Sequence, residues 1–176
     1  MPTLMVQLQL GRSNEKLLGL TRELASKWDA AVIGAAVYRR PIAPGRDLDV
    51  TGINVAERNL QGQVQDAQRE FLGALETSGI KIEWRTAATT EEIAKYLVEQ
   101  AGALDLFIGA IEHPDDVAQA VKIDDVMLNL GRPALLMPSR DVGDLSNVLI
   151  GWVDTREARR AIFDALPLLR HARRIC

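Results

Sequence analysis

The chain has 176 residues, the size of one domain or slightly more. Its content of 47% hydrophobic and 26% charged residues is close to the globular average and excludes a disordered chain. The net charge of -3 gives no overall electrostatic attraction to nucleic acid, no apolar run could span a membrane, and the N-terminus shows no signal-peptide pattern. We therefore expect a soluble cytoplasmic protein that binds neither nucleic acid nor membranes.

Few side chains are suited to nucleophilic or acid–base chemistry near neutral pH. Cys176 is the single cysteine, which excludes an internal disulfide framework and a cysteine-based zinc site. His113 and His171 are the two histidines, and they do not complete a Ser-His-Asp or Cys-His arrangement. We therefore expect no catalytic residues.

Strand and helix patterns alternate along the chain. Residues 4–10 end in alternating apolar and polar side chains and predict a strand, and Ser13 or Asn14 is expected to cap a helix that ends near Trp28. Residues 30–38 are small or β-branched, which is typical of a strand buried on both faces. The later predicted elements are a helix over 55–78, a strand over 80–85, a helix over 90–101, a strand over 104–109, short helical pieces within 112–125 and a strand over 134–137.

The order βαβαβαβαβ indicates parallel strands joined by right-handed crossovers. The simplest product is an α/β fold, an open doubly wound sheet of five parallel strands with helices on both faces. Ligands of such sheets bind beyond the carboxyl ends of the strands. The long loop over 39–51, with two prolines and several charges, lies after the second strand and is favoured as a functional segment.

The C-terminal segment restarts the pattern. Residues 147–153 predict a strand, and the helix that follows carries an apolar face. Pro167 is expected to kink or break this helix near Leu166. Two pairs of similar runs, each about 143 positions apart, indicate an internal repeat. Residues 4–6 match 148–150, and residues 31–33 match 174–176. The predicted division is a first domain over 1–140, a linker over 141–146 and the opening of a truncated second repeat over 147–176. The alternative is a single domain with a C-terminal strand–helix extension.

The chain resembles the universal stress protein family, in particular its bacterial tandem type. The motifs that carry the resemblance are Gly-Arg-Pro-Ala-Leu-Leu-Met-Pro at 131–138 and the restart from Val148 to Ala158. The resemblance covers residues 3–138 as one domain and 147–176 as the opening of a second. It implies a Rossmann-like sheet in the order 3-2-1-4-5, dimerisation through the fifth strand and a cytoplasmic role in stress resistance. Some members of the family bind ATP and others do not.

The resemblance allows the ATP site to be compared residue by residue. Nucleotide-binding members carry an Asp near the end of the first strand, and that position is Gln9 here, with Gln7 on the same face. They also carry a glycine-rich phosphate loop after the fourth strand, where Gly109 matches only with a one-residue shift. No glycine occurs between Ala110 and Leu130, and that span is acidic. ATP binding in the manner of the family is therefore not expected, and ATP stays a minor alternative.

Three further groups are weaker candidates. Gly11, Arg12 and Ser13 could hold a small anion at a helix N-terminus, but an ordinary capped helix start with a solvated arginine is favoured. The acidic run around His113 could bind a metal, but a turn and acidic helix starts are the simpler explanation. The basic tail could contact nucleic acid, but a solvated face is favoured; its arginines are Arg156, Arg159, Arg160, Arg170, Arg173 and Arg174.

Two functional hypotheses remain open. The first is a non-catalytic universal-stress-type protein that acts through dimerisation and contacts with an unidentified protein partner. The second is a nucleotide or small-anion binding protein, which could hydrolyse ATP slowly, with a site formed by the loop over 39–47 and the turn at Gly11. The expected dimer uses the apolar edge strand Ala134, Leu135, Leu136 and Met137, or pairs that edge with the strand over 147–153. The apolar helix face of the tail is expected to be covered by a second copy of the chain.

Overall fold

The chain folds into two units, Met1–Ser139 and Arg140–Cys176, which are described separately. The computed structural model describes residues 1–42, 50–111, 119, 121–138 and 145–176. The acidic run around His113, the weak candidate for a metal site, and most of the loop after Tyr38 lie outside these residues.

Five parallel strands form the sheet of the first unit, in the order β3-β2-β1-β4-β5. This order confirms the predicted open doubly wound sheet with helices on both sides. The strands are β1 (Thr3–Gln7), β2 (Ala31–Arg39), β3 (Ile82–Thr89), β4 (Leu106–Ala110) and β5 (Ala134–Met137). The helices are α1 (Glu15–Trp28), α2 (Val50–Leu75), α3 (Ile93–Gln100) and α4 (Ile123–Asn129).

The central strands are buried on both faces, as the continuous apolar run in β2 predicts. On one face Met5 and Phe107 pack with residues of α3 and α4 in a single hydrophobic cluster. On the other face the ring of Phe71, from α2, lies directly over Gly34 in β2 and is fully buried. The core is therefore a three-layer arrangement in which the sheet is covered by helix pairs.

Three predicted boundaries in the first half are wrong. β1 ends at Gln7 and not at residue 10, because the chain turns away after Leu8 donates its N–H to the carbonyl of Ala35. Helix α2 begins at Val50 and not at residue 55, since its apolar stripe continues upstream through Ile53. Strand β3 extends to Thr89 and not to residue 85, because β2 offers it a partner at every position up to Arg39.

The later boundaries differ by a few residues. Helix α3 begins at Ile93 and not at residue 90, and the hydroxyl of Thr89 accepts a bond from the N–H of Glu91 ahead of the helix. Strand β4 runs one residue beyond the prediction, to Ala110. Strand β5 has the predicted bounds. The part of the predicted helical stretch that lies within 112–118 is outside the described residues.

The second unit is a strand–helix–strand motif of β6 (Asn147–Val148), α5 (Arg156–Leu169) and β7 (Arg174–Ile175). The strands pair in parallel with Val148 opposite Ile175, as Leu4 lies opposite Val32 in the first unit. Strand β6 is shorter than predicted because β7 offers only two residues for pairing. Helix α5 continues through Pro167 to Leu169, so it is not broken near Leu166.

Several apolar side chains of this segment are exposed in the single chain, and the expected cover by a second copy of the chain stays a prediction. Leu149 is 83% exposed and Val153 is 68% exposed. In contrast, Met5 of the first unit, which occupies the position that matches Leu149 in the internal repeat, is fully buried. In the part of the chain that the structure describes, no helix is long and apolar enough to cross a membrane.

Replacing Gly34 tests the packing of α2 on the sheet. A Cβ at this position would lie 2.8 Å from ring carbons of Phe71, so Gly34→Ala is expected to lower the free energy of unfolding by about 1–3 kcal/mol. Urea denaturation measures this change. Gly73→Ala is the control, because no atom lies within 4 Å of its added Cβ in α2 and helix propensity favours alanine. Equal effects of the two variants would contradict the described packing.

Candidate functional site

A cleft lies at the carboxyl ends of β1 and β2, where the doubly wound fold is expected to place a ligand. It forms because β1 ends opposite Ala35 while β2 continues to Arg39 beside β3. The open space has a volume of about 640 Å³. The residues that line it include Gln7, Leu8, Leu10, Gly11, Arg12, Val37, Arg39, Arg40, Pro41, Ile42, Ala56, Asn59, Leu60, Gln63, Gln119 and Val121.

Gln7 places an unpartnered acceptor in the wall of this cleft. The side chain is 5% exposed, and its Nε2 donates a hydrogen bond of 3.0 Å to the carbonyl of Leu8. This bond fixes the orientation of the carboxamide, and Oε1 accepts no hydrogen bond from any described residue. A buried polar atom without a partner destabilises the fold by about 1–3 kcal/mol. Gln7 lines the cleft, but Oε1 itself has almost no solvent-accessible area, so a ligand reaches this acceptor only after a small shift of the cleft wall.

Three arginines make the cleft basic. Arg12 follows β1, Arg39 is the last residue of β2, and Arg40 comes directly after it. The guanidinium of Arg39 lies 3.8 Å from the Glu92 carboxylate, which also lies 3.3 Å from the ammonium of Lys122. These side chains are partly exposed, so the ion pairs are weak and leave the guanidinium free to turn toward an anion. The arrangement favours a ligand that carries a phosphate or a carboxylate.

The turn after β1 is held by Asn14, which is 2% exposed. Asn14 Oδ1 accepts a bond of 2.8 Å from the N–H of Gln9, and Nδ2 donates to the Gln9 carbonyl and to Glu70 Oε2. Asn14 thus occupies the predicted N-cap position of α1, but its side chain makes no cap bond to the helix. Ser13 Oγ instead accepts a bond of 3.3 Å from the N–H of Glu15. These hydrogen bonds hold the turn, in which Gly11 and Arg12 line the cleft.

Gly11 has a positive φ of 71°, which favours glycine, and its Cα faces the amide of Gln63. A Cβ here would lie 3.1 Å from Gln63 Oε1. The residue therefore lets the turn approach α2 closely at the mouth of the cleft.

Gln119 closes the side of the cleft near β2. The backbone N–H of Arg39 donates to Gln119 Oε1 at 2.9 Å, and Gln119 Nε2 donates to the Arg39 carbonyl at 2.8 Å. One carboxamide therefore satisfies both backbone groups of the last residue of β2.

The structure brings two of the predicted site residues to the cleft, Gly11 and Arg12. Gln9 is instead engaged by Asn14, and Ser13 lines a separate groove of about 400 Å³ between α1 and α2. Gly109 lies within β4 opposite Leu136, and its Cα packs close to the ring of Phe107. Among the described residues, no group of three or more metal-ligating side chains occurs.

Sequence patterns did not single out Arg40, Gln63 or Gln119 as site residues. Arg40 lies in the loop that the sequence analysis favoured as a functional segment. Gln119 could not be found in this way, because it lies 80 residues from its partner Arg39. No local motif relates two positions at that separation. Gln7 was noted only as a neighbour of Gln9 on the same face of the strand.

No protein-family model and no curated protein matches the chain. Solved structures of universal stress proteins share its fold. One from Burkholderia pseudomallei has 18% sequence identity and a TM-score of 0.54, covering 78% of this chain and 96% of that chain. One from Archaeoglobus fulgidus in complex with dAMP has 16% identity and a TM-score of 0.52, covering 77% of this chain and 97% of that chain.

A third, a universal stress protein family protein from Arabidopsis thaliana with AMP bound, has 10% identity and a TM-score of 0.55, covering 80% of this chain and 93% of that chain. The first-unit sheet therefore has the fold of universal stress proteins, which confirms the fold that the resemblance implied. The tandem arrangement stays a prediction.

Replacing Asn14 tests the hydrogen bonds that hold the turn after β1 at the cleft. Asn14→Ala removes four partly buried side-chain hydrogen bonds and is expected to lower the free energy of unfolding by about 2–3 kcal/mol. Asn129→Ala is the control, since this exposed residue makes one bond to the carbonyl of Asp125 and should change stability by less than about 0.5 kcal/mol. Chemical denaturation distinguishes the two, and a similar loss in both variants would show that Asn14 has no special role.

Proposed function

We propose that this chain is a non-catalytic universal-stress-type protein that binds a nucleoside monophosphate in the cleft and acts through contacts with partner proteins. The observation that supports the ligand most directly is the buried, unpartnered Oε1 of Gln7 in the cleft wall. A nucleoside offers amino and hydroxyl donors for this acceptor.

The size and charge of the cleft fit the same class of ligand. A volume of about 640 Å³ lies within the usual range of small-molecule sites. Arg12, Arg39 and Arg40 are among the residues that line the cleft, and arginine side chains suit a phosphate. Two proteins of the same fold were solved with dAMP and with AMP. A nucleoside with one phosphate therefore satisfies both ends of the cleft.

A monophosphate is favoured over ATP because of the segment after β4. No glycine occurs between Ala110 and Leu130, so the backbone there lacks the residue type that lets amides approach a polyphosphate closely. The arginines of the cleft can still neutralise a single phosphate. ATP binding in the manner of the family is therefore not expected, and the cleft suits a nucleotide with a single phosphate.

The non-catalytic role rests on the composition of the chain. One cysteine and two histidines offer little for acid–base or nucleophilic catalysis. Stress resistance and a cytoplasmic location belong to the proposal through the likeness in fold. The output of such a protein is a ligand-dependent contact and not a reaction product.

Replacing Gln7 tests the ligand. Gln7→Met removes the unpartnered acceptor, so we expect unchanged or slightly higher stability but at least about tenfold weaker binding of AMP, measured by isothermal titration calorimetry. Gln100→Met is the matched control, because Gln100 contacts Arg85 away from the cleft. Absence of AMP binding by the wild-type chain at millimolar concentration would overturn the proposal.

The proposed partner includes a second copy of the chain, paired through β5. This strand lies at the edge of the described sheet, and its four apolar residues are only half-buried. The carbonyls of Pro133 and Met137 accept bonds from the β4 side. Because backbone groups alternate along a strand, those of Ala134 and Leu136 point to the open edge. An apolar strand with free edge groups favours pairing with another chain.

Leu136→Pro tests this edge. Proline removes one outward N–H but leaves the bonds to β4 intact, so the variant is expected to dissociate at tens of micromolar in light scattering while keeping the circular dichroism of the wild type. Leu136→Ala controls for the loss of the side chain and should stay dimeric. A dimer of unchanged affinity in the proline variant would exclude pairing through β5.

A further inference from the structure

The strand β2 overhangs β1 and leaves backbone groups at the cleft that have no strand partner. Beyond Ala35, which is the last residue of β2 to pair with β1, the strand continues for four residues. At its end, Arg40 donates its N–H to the carbonyl of Thr89 on the β3 side. The N–H and C=O of Arg39 therefore face the opposite side, where both bond to Gln119.

Gln119 bonds to the backbone of Arg39 through an acceptor and a donor side by side, as the edge of a nucleobase could. The carboxamide offers one acceptor and one donor side by side, at 2.9 Å and 2.8 Å from the complementary backbone atoms. The Watson–Crick edge of adenine offers the same two groups, a ring nitrogen that accepts and an amino group that donates. Gln119 and Arg39 both line the cleft, so the carboxamide takes up space in which such an edge would fit.

We propose that Gln119 is an internal competitor, whose carboxamide holds the base-edge position of the cleft until a ligand with a matching acceptor–donor edge displaces it. This inference rests on the proposed function and names the part of the ligand that the Arg39 backbone recognises. The competition lowers the affinity of the cleft, because two hydrogen bonds must break before two equivalent bonds form. The chain is thereby set to respond only to a high concentration of nucleotide.

A neighbouring contact is compatible with this exchange. Gln119 bonds the backbone of Arg39, whereas the guanidinium of the same residue lies toward Glu92. The backbone and the side chain of Arg39 thus act independently. Displacing Gln119 leaves the guanidinium able to reach a phosphate.

Isothermal titration calorimetry of the full chain tests the competition. Gln119→Ala leaves the backbone groups of Arg39 unpaired and is expected to bind AMP about tenfold more tightly than the wild type, the equivalent of one net hydrogen bond. Gln119→Met keeps the length of the side chain without its polar groups and should show the same gain. Gln100→Ala, which removes a glutamine outside the cleft, should bind as the wild type does.

A second ligand tests whether the amino group of the base is recognised. N6,N6-dimethyl-AMP keeps the phosphate and the ring but lacks the amino donor, so neither Gln119 variant should gain affinity for it. A gain that is specific to AMP in both variants supports the competition, and unfolding curves confirm that both variants are folded. Equal AMP affinity in wild type and variants, or weaker binding in the variants, would overturn the inference while leaving the proposed function intact. Absence of AMP binding in every variant at millimolar concentration would overturn both.

Discussion

The unequal lengths of two adjacent strands determine the shape of the first unit. Strand β1 has five residues and β2 has nine, so their parallel pairing leaves the end of β2 beside an open space. Backbone groups that lose a strand partner must bond elsewhere, since a buried unpaired group is costly. The side chain of Gln119 and the backbone of Leu8 meet this need at Arg39 and Ala35. The cleft exists because the sheet is incomplete at this point.

The same cleft is also lined by a residue with a buried polar atom that has no hydrogen-bond partner among the described residues. Asn14 satisfies the turn after β1 with bonds to Gln9 and Glu70, so the neighbouring loop is fully specified by protein contacts. Gln7, two residues before Gln9, keeps a buried oxygen without a partner. A sequence in which local choices otherwise agree with the fold is expected to break this rule where function requires it. Asn14 therefore has a structural role, whereas the unpartnered oxygen of Gln7 is the group on which the proposed ligand contact rests.

The sequence predicted the fold because apolar periodicity and run length determine which segments become strands. The bounds of β5 were correct, since Pro138 ends a short apolar run. The predicted end of β3 was wrong because Ala87 and Ala88 have low strand propensity, yet they pair with β2, which is extended beside them. Gly11 and Arg12 were found from a turn motif, whereas Gln119 becomes a site residue only through a tertiary contact 80 residues away.

The second unit shows how far a local pattern determines structure. Its two strands pair in the register that the predicted repeat implies, since Val148 lies opposite Ile175 as Leu4 lies opposite Val32. The repeat is not sufficient to set burial. Met5 is buried because α3 and α4 cover its face of the sheet, whereas Leu149 is 83% exposed in a two-stranded sheet. Pairing depends on neighbouring strands, but burial depends on a further layer that the strand pattern itself does not specify.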